Sequence, residues 1–161
     1  MSEIEKVLLT AALTVLTGVT VFVVGQAFTR FVIEPLHEQR KVIGAIADAL
    51  IYHAHYFADS GPPAVQDLER LNAAADQFQR LASDLTAKSI AIPGYRVLAL
   101  VRAVPRYDKV LEARRSLWGL GNWLARPNWQ QKLQAAGEVA RALKITAIDE
   151  GMLSRDWTKG L

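Results

Sequence analysis

A stretch of 22 uncharged residues near the start of the chain, 7–28, constrains the fold more than any other feature. As a helix it would be about 33 Å long, close to the hydrocarbon thickness of a bilayer. Apolar residues continue to Ile33, and only Arg30 interrupts them, with a side chain long enough to reach the headgroups. The sequence therefore predicts a transmembrane helix over 7–33, after a short N-terminus of residues 1–6.

The residues that flank this helix predict its orientation. Residues 1–6 carry two acids and one base, whereas a signal peptide begins with net positive charge, so we expect an uncleaved anchor. Lys6 is the base before the helix, and three bases follow it: Arg30, Arg40 and Lys41. The positive-inside rule then places the C-terminal part of the chain in the cytoplasm.

One side of the predicted membrane helix collects most of its small and hydroxyl-bearing residues. They fall within one arc of about 120°, whereas leucines such as Leu9 and Leu16 lie outside it. Lipid already solvates leucine, but small residues let two helices approach closely, and threonine can form hydrogen bonds between them. We therefore expect a homo-oligomer seam, with the lining of a pore as the alternative use. The seam consists of Thr10, Thr14, Thr17, Gly18, Val21 and Gly25.

The rest of the chain shows helical periodicity and no convincing strand alternation. Apolar residues recur at three- and four-residue steps over 43–57, 64–89 and 127–148, and turn residues occupy 60–63. Pro35 is expected to break the membrane helix or to start a new one. The predicted fold is all-α, with one N-terminal transmembrane helix and a cytoplasmic bundle of four to five helices. Its parts are the N-terminus 1–6, the transmembrane helix 7–33, the cytoplasmic domain 34–150 and a loose tail 151–161.

The chain contains no cysteine, which excludes disulfides and thiolate sites and suits a cytoplasmic domain. Its net charge of +3 is unevenly distributed. Residues 44–84 hold six acids and two bases, whereas residues 96–132 hold eight bases and two acids. We favour mutual neutralisation of these segments, with a basic face turned to lipid as the next alternative. Nucleic acid is disfavoured as a partner because the sequence lacks a flexible platform of basic and aromatic residues.

Three of the four tryptophans lie within twelve residues of one another, next to Arg126 and Lys132. They either fill one end of the helical core or form a belt in the inner leaflet, where tryptophan is favoured. The sequence leaves both interpretations open. In the second, the membrane-interface residues are Arg30, Arg40, Lys41, Trp118, Trp123, Arg126 and Trp129.

The three histidines do not predict a metal site. A zinc site needs three or four converging ligands, but His53 and His55 would point to different sides of a helix. We expect His53 to be a core-edge residue or a buried, hydrogen-bonded one. Arg30 and His37 form an Arg-x6-His string, which loosely resembles the signature of HEPN RNase domains and implies a membrane-tethered RNase as an alternative. No catalytic residue, metal or cofactor is predicted otherwise.

The segment that follows the membrane helix, 33–50, reads Ile-Glu-Pro-Leu-His-Glu-Gln-Arg-Lys-Val-Ile-Gly-Ala-Ile-Ala-Asp-Ala-Leu. Together with Ile-Pro-Gly-Tyr at 92–95 and Leu-Trp-Gly-Leu-Gly-Asn at 117–122, it is similar to a widespread group of uncharacterised bacterial one-span proteins. That group has a helical cytoplasmic domain. The resemblance covers most of the chain and implies the bacterial inner membrane as its location, but it implies no activity.

In plan alone, the chain also resembles the membrane accessory protein of RNA-targeting (type VI) CRISPR systems, which forms a ring-shaped pore. This resemblance implies a non-enzymatic membrane protein that self-assembles into a homo-oligomer. Its role would be that of a pore or a membrane-perturbing effector in bacterial defence. The alternatives are a membrane-tethered HEPN-like RNase and a membrane scaffold for a cytoplasmic protein partner.

Overall fold

The computed structural model describes residues 2–58 and 67–145. Within these ranges the chain is helical and contains no strand, which confirms the predicted all-α class. The turn at 60–63, the predicted tail 151–161 and the end of the last predicted helix lie outside the described residues. The helices are α1 (Glu3–Phe28), a π-helical turn (Thr29–Ile33), α2 (Glu34–Tyr52), α3 (Ala54–Ala58), α4 (Leu68–Ile90), α5 (Tyr95–Leu100), α6 (Tyr107–Trp123) and α7 (Trp129–Leu143).

The first two helices and the π turn form one continuous helix of 50 residues, Glu3–Tyr52. It begins at a capping box, in which the Ser2 hydroxyl accepts from the Glu5 amide and the Glu5 carboxylate accepts from the Ser2 amide. Every residue of α1 is exposed in the chain alone, and the helix is long and apolar enough to cross a bilayer.

Pro35 does not interrupt this helix, so the expected break is wrong, whereas the alternative, that Pro35 lies at the start of a further helix, is confirmed. Pro35 lies in the first turn of α2, directly after the π turn, in which the Glu34 amide donates to the Thr29 carbonyl five residues back. A proline ring clashes with the carbonyl four residues before it, and the wider π turn relieves that clash. The helix axis therefore continues from α1 into α2.

Helices α2, α4, α6 and α7 pack around one apolar core, with α4 between α2 and α6. Their buried faces follow the sequence pattern, since Ile46, Leu50, Phe78 and Leu85 have no exposed surface. Leu68 departs from the pattern: it lies at the start of α4 and is 37% exposed. The core thus forms where helical stripes of apolar residues meet.

Contacts between helices define two ends of this bundle. Gln39 contacts Ser89 at the start of α2 and the end of α4, whereas His53 contacts Gln77 at the opposite end. We call these the α1 end and the far end. Neighbouring helices run antiparallel, so α6 begins at the α1 end and α7 begins at the far end. The two ends therefore present different residues to their surroundings.

Candidate functional site

The predicted seam on α1 forms an uncovered surface. The hydroxyls of Thr10, Thr14 and Thr17 each donate to the carbonyl four residues earlier, over 2.8–2.9 Å. These hydroxyls therefore form hydrogen bonds within the helix, and they can face an apolar environment without leaving a donor unpaired. A Cβ atom built on Gly18 or Gly25 would meet nothing within 4 Å. The surface is thus smooth and open, while its role as a seam stays a prediction.

The three predicted interfacial bases lie on both sides of the junction between α1 and α2. Arg30 is in the π turn, and Arg40 and Lys41 are on α2; all three are exposed. Lys41 pairs with Glu38 at 2.9 Å, and Lys88 approaches the same carboxylate at 3.5 Å from α4. The hydrogen bond and charge of Lys41 lower the pKa of Glu38, and Lys88 lowers it further. This junction is therefore rich in positive charge.

The tryptophan cluster is divided between the middle and the far end of the bundle. Trp118 is 45% exposed on α6 and lies roughly 16 Å beyond the start of that helix. Trp123 packs partly buried against the core, and Trp129 begins α7 at the far end. Arg126 is exposed in the loop between these helices. Lys132 is buried and donates to the Tyr56 carbonyl, 3.2 Å away. A single surface of Trp and basic residues is therefore not formed beside α1.

The sequence did not predict a buried polar cluster at the α1 end. Gln39 is 1% exposed, and its Nε2 atom donates to Ser89 Oγ at 2.7 Å and to the Tyr95 hydroxyl at 3.0 Å. Those hydroxyls in turn donate to the carbonyls of Leu85 and Pro105. Both amide protons of Gln39 are therefore used, while its Oε1 atom is buried and has no partner among the described residues.

A sequence signal for this cluster did exist. Gln39 lies four residues before Ile43 and seven before Ile46, so it extends the apolar stripe of α2 by one helical step. A glutamine in line with such a stripe indicates a buried polar contact, because an unpaired buried amide is costly.

The Tyr95 phenol is neutral and links this cluster to the loop before α6. Burial raises the pKa of Tyr95, although the hydrogen bonds with Gln39 and Ser89 oppose the rise. The nearby Tyr107 phenol raises the pKa further, and the two rings meet edge to face with centroids 5.9 Å apart. Tyr95 therefore remains a donor to the Pro105 carbonyl and fixes α5 to the loop before α6.

A groove of about 910 Å³ lies beside this cluster, bounded by α2, α5, the loop to α6 and the end of α7. Gln39, Ile43 and Tyr95 contribute to its lining. Asp108 is the acidic residue on its wall, and Arg106 approaches it at 3.3 Å. The basic residues of the wall are Arg40, Arg96, Arg102, Arg106, Lys109 and Lys144. Lys109 also pairs with Glu112, so Arg40, Arg96, Arg102 and Lys144 are the bases that remain to attract an anion.

Exposed apolar side chains lie at the end of α4 and along α5, where Leu100 also lines the groove. Ile90, Val97, Leu100 and Val101 are 67%, 66%, 84% and 67% exposed. A left-handed Gly94 opens α5, and the chain leaves it through Arg102, which has a φ of +61°. The Ala103 amide donates to the Leu98 carbonyl across this second turn, as in a Schellman motif. The two tight turns thus present α5 as a short apolar projection between arginines.

The remaining predicted site residues lie in different surroundings. Arg30 and His37 are both exposed on the continuous helix, and none of the four described cavities includes either residue. His53 is 7% exposed, and its Nε2 atom lies 3.0 Å from Gln77 Oε1, which confirms the predicted buried, hydrogen-bonded histidine. Within 2–58 and 67–145, no three His, Asp or Glu residues group as a metal site.

Comparison with known proteins adds no relative: no family model matches the chain, and neither does any curated protein or solved structure. The resemblances drawn from the sequence therefore stay predictions.

Proposed function

We propose that the chain is a single-span membrane protein, with α1 in the bilayer and the helical bundle on the cytoplasmic side. The continuous helix Glu3–Tyr52 carries this proposal. Its first half exposes apolar side chains along its whole length, whereas its second half places Ile46 and Leu50 in the core. Bilayer insertion would cover the exposed half, and the helix can enter lipid because it already satisfies its own backbone hydrogen bonds. Continuity with a core helix also favours a permanent anchor over a cleaved signal peptide.

In this arrangement the α1 end of the bundle rests on the inner leaflet. Gln39 would lie about 9 Å beyond Ile33 along the helix, which is the depth of the headgroup region. Val97, Leu100 and Val101 would enter the boundary between headgroups and acyl chains, and nearby arginines would face the headgroups. This surface replaces the Trp cluster as the favoured site of lipid contact.

The proposed activity is non-enzymatic self-assembly. The open small-residue face of α1 supports it, since Gly18 and Gly25 leave room for a second helix. A homo-oligomer of four- to five-helix bundles could act as a pore or membrane-perturbing effector in bacterial defence, or bind a cytoplasmic protein partner. The RNase alternative stays a prediction, with Arg30 and His37 both exposed and seven residues apart on the continuous helix.

Single-cysteine labelling tests the topology directly, because the native chain has no cysteine. Ser2→Cys should react with a membrane-impermeant maleimide in intact spheroplasts, whereas Arg114→Cys should react only after lysis. The native chain should also stay in the membrane pellet at alkaline pH. Release at alkaline pH, or a mature chain that begins near residue 28, would contradict the proposal.

A further inference from the structure

We propose that the basic groove at the α1 end binds the headgroup of an anionic glycerophospholipid that carries free hydroxyls, the phosphatidylglycerol class. The phosphate would lie among the groove arginines, and a glycerol hydroxyl would donate to Gln39 Oε1. This inference rests on the proposed membrane anchoring, since that anchoring brings the groove to the headgroup layer.

The charges of the groove select for a phosphate. Six basic residues line it; Arg106 pairs with Asp108 and Lys109 with Glu112, which leaves four bases with no carboxylate partner among the described residues. No carboxylate of the described residues comes within 4.0 Å of Arg40, Arg96 or Arg102. A planar guanidinium matches two phosphate oxygens and is weakly hydrated, so these arginines suit a phosphodiester in a partly dry groove.

The buried amide of Gln39 selects for a hydroxyl. Both of its N–H groups are used by Ser89 and Tyr95, so only an acceptor, Oε1, remains for a ligand. A choline headgroup offers no donor, and an ethanolamine headgroup brings a cation into a positive groove. Glycerol supplies a neutral donor, which leaves the phosphate charge for the arginines.

Binding requires a small opening of the groove floor. Gln39 is 1% exposed, so a ligand hydroxyl must displace the residues above it. The end of α5 beyond Tyr95 is the element that moves, because the Tyr95 hydroxyl stays bonded to Gln39 and Pro105 while Leu100 is 84% exposed. Insertion of Val97, Leu100 and Val101 into lipid would draw this end of α5 outward and couple membrane contact to headgroup entry.

The test uses the full chain in phosphatidylcholine nanodiscs and measures binding of short-chain phosphatidylglycerol. We expect binding at least about tenfold tighter than for phosphatidylcholine, the equivalent of one charge-assisted contact. Phosphatidylmethanol, which has the same charge but no hydroxyl, should bind several-fold more weakly. Glycerol 3-phosphate tests the headgroup without acyl chains. If it binds as tightly as the lipid, the site belongs to a free phosphate ester and the lipid proposal is overturned.

Two double variants, each of which loses two positive charges, distinguish binding in the groove from binding to surface charge in general. Arg96→Gln with Arg102→Gln should weaken phosphatidylglycerol binding about tenfold or more. Arg114→Gln with Arg115→Gln removes two exposed bases of α6 outside the groove and should change binding less than about twofold. Equal effects of the two pairs would reduce the binding to surface charge and overturn the inference.

Gln39→Leu should abolish the preference for phosphatidylglycerol over phosphatidylmethanol. If this variant does not fold, the same lipid pair on the native chain decides: equal affinities would overturn the role of Gln39. Alkaline extraction of each variant keeps the two proposals apart. A chain that resists extraction but shows no lipid preference overturns the headgroup site alone, whereas a chain that is extracted overturns the anchor as well.

Discussion

A Cβ atom built on Gly121 would lie 3.1 Å from the carbonyl oxygen of Ala75, tighter than most such contacts, so α6 and α4 would have to separate slightly to admit one. Gly121 is buried, and the same Cβ atom would lie 3.4 Å from Cγ of Gln79. The position therefore determines how tightly the central pair of helices can pack.

We expect Gly121→Leu to destabilise the bundle by about 2–3 kcal/mol or more, because an added side chain must push the two backbones apart. Gly44 on α2 is the matched control, since a Cβ atom there meets nothing within 4 Å. Gly44→Leu should stabilise by about 0.5 kcal/mol through higher helix propensity. Denaturant unfolding in mild detergent, followed by circular dichroism, measures both. Equal effects at the two glycines would contradict the close approach.

The sequence predicted the all-α class and the buried stripes because both follow from helical periodicity within single segments. Ile46, Leu50, Phe78 and Leu85 are buried as the pattern indicated. The continuity through Pro35 was not predictable in this way, since it depends on a π turn whose backbone geometry has no strong residue signature.

The candidate groove was harder to predict because it joins residues distant in sequence. Arg40, Arg96 and Lys144 meet only after three helices have packed. The tryptophans are close in sequence but not in their surroundings. The length of α6 and the reversal between α6 and α7 place them at different points along the bundle. Periodicity reports which face of a helix is buried, and it does not report which helix ends meet.

The second prediction concerns self-assembly. Gly18→Leu with Gly25→Leu places bulky side chains on the open face of α1 and should shift the detergent-purified chain toward smaller species by light scattering. Leu9→Ala with Leu16→Ala changes the opposite side and should have much less effect, because lipid tails solvate both residue types. An unchanged mass for the glycine pair would falsify the seam, and a monomeric native chain would exclude assembly altogether.

The third prediction locates the surface that touches lipid. In a Trp157→Phe background, Trp118, Trp123 and Trp129 should be little quenched by lipids brominated in the acyl chains, because they lie toward the far end. Adding Leu100→Trp should introduce a strongly quenched component, since Leu100 is 84% exposed beside the groove. Strong quenching before that substitution would instead support the tryptophan belt.

The fourth prediction concerns how the stability of the fold depends on pH. The pKa of Glu38 is lowered by Lys41 and then by Lys88, so the charged carboxylate stabilises the fold at neutral pH. That contribution is present above the ordinary pKa of 4.5 and is lost as the pH falls through the lowered value. Glu38→Gln should therefore flatten the fall in stability on acidification. The effect should disappear in a Lys41→Met, Lys88→Met background; its persistence there would contradict the assignment.

The unbroken helix from Glu3 to Tyr52 has a mechanical consequence. A flexible linker would let a membrane anchor rotate without disturbing the domain attached to it. Here, a twist of α1 about its axis turns Ile46 and Leu50 against α4, so torque applied in the bilayer reaches the hydrophobic core.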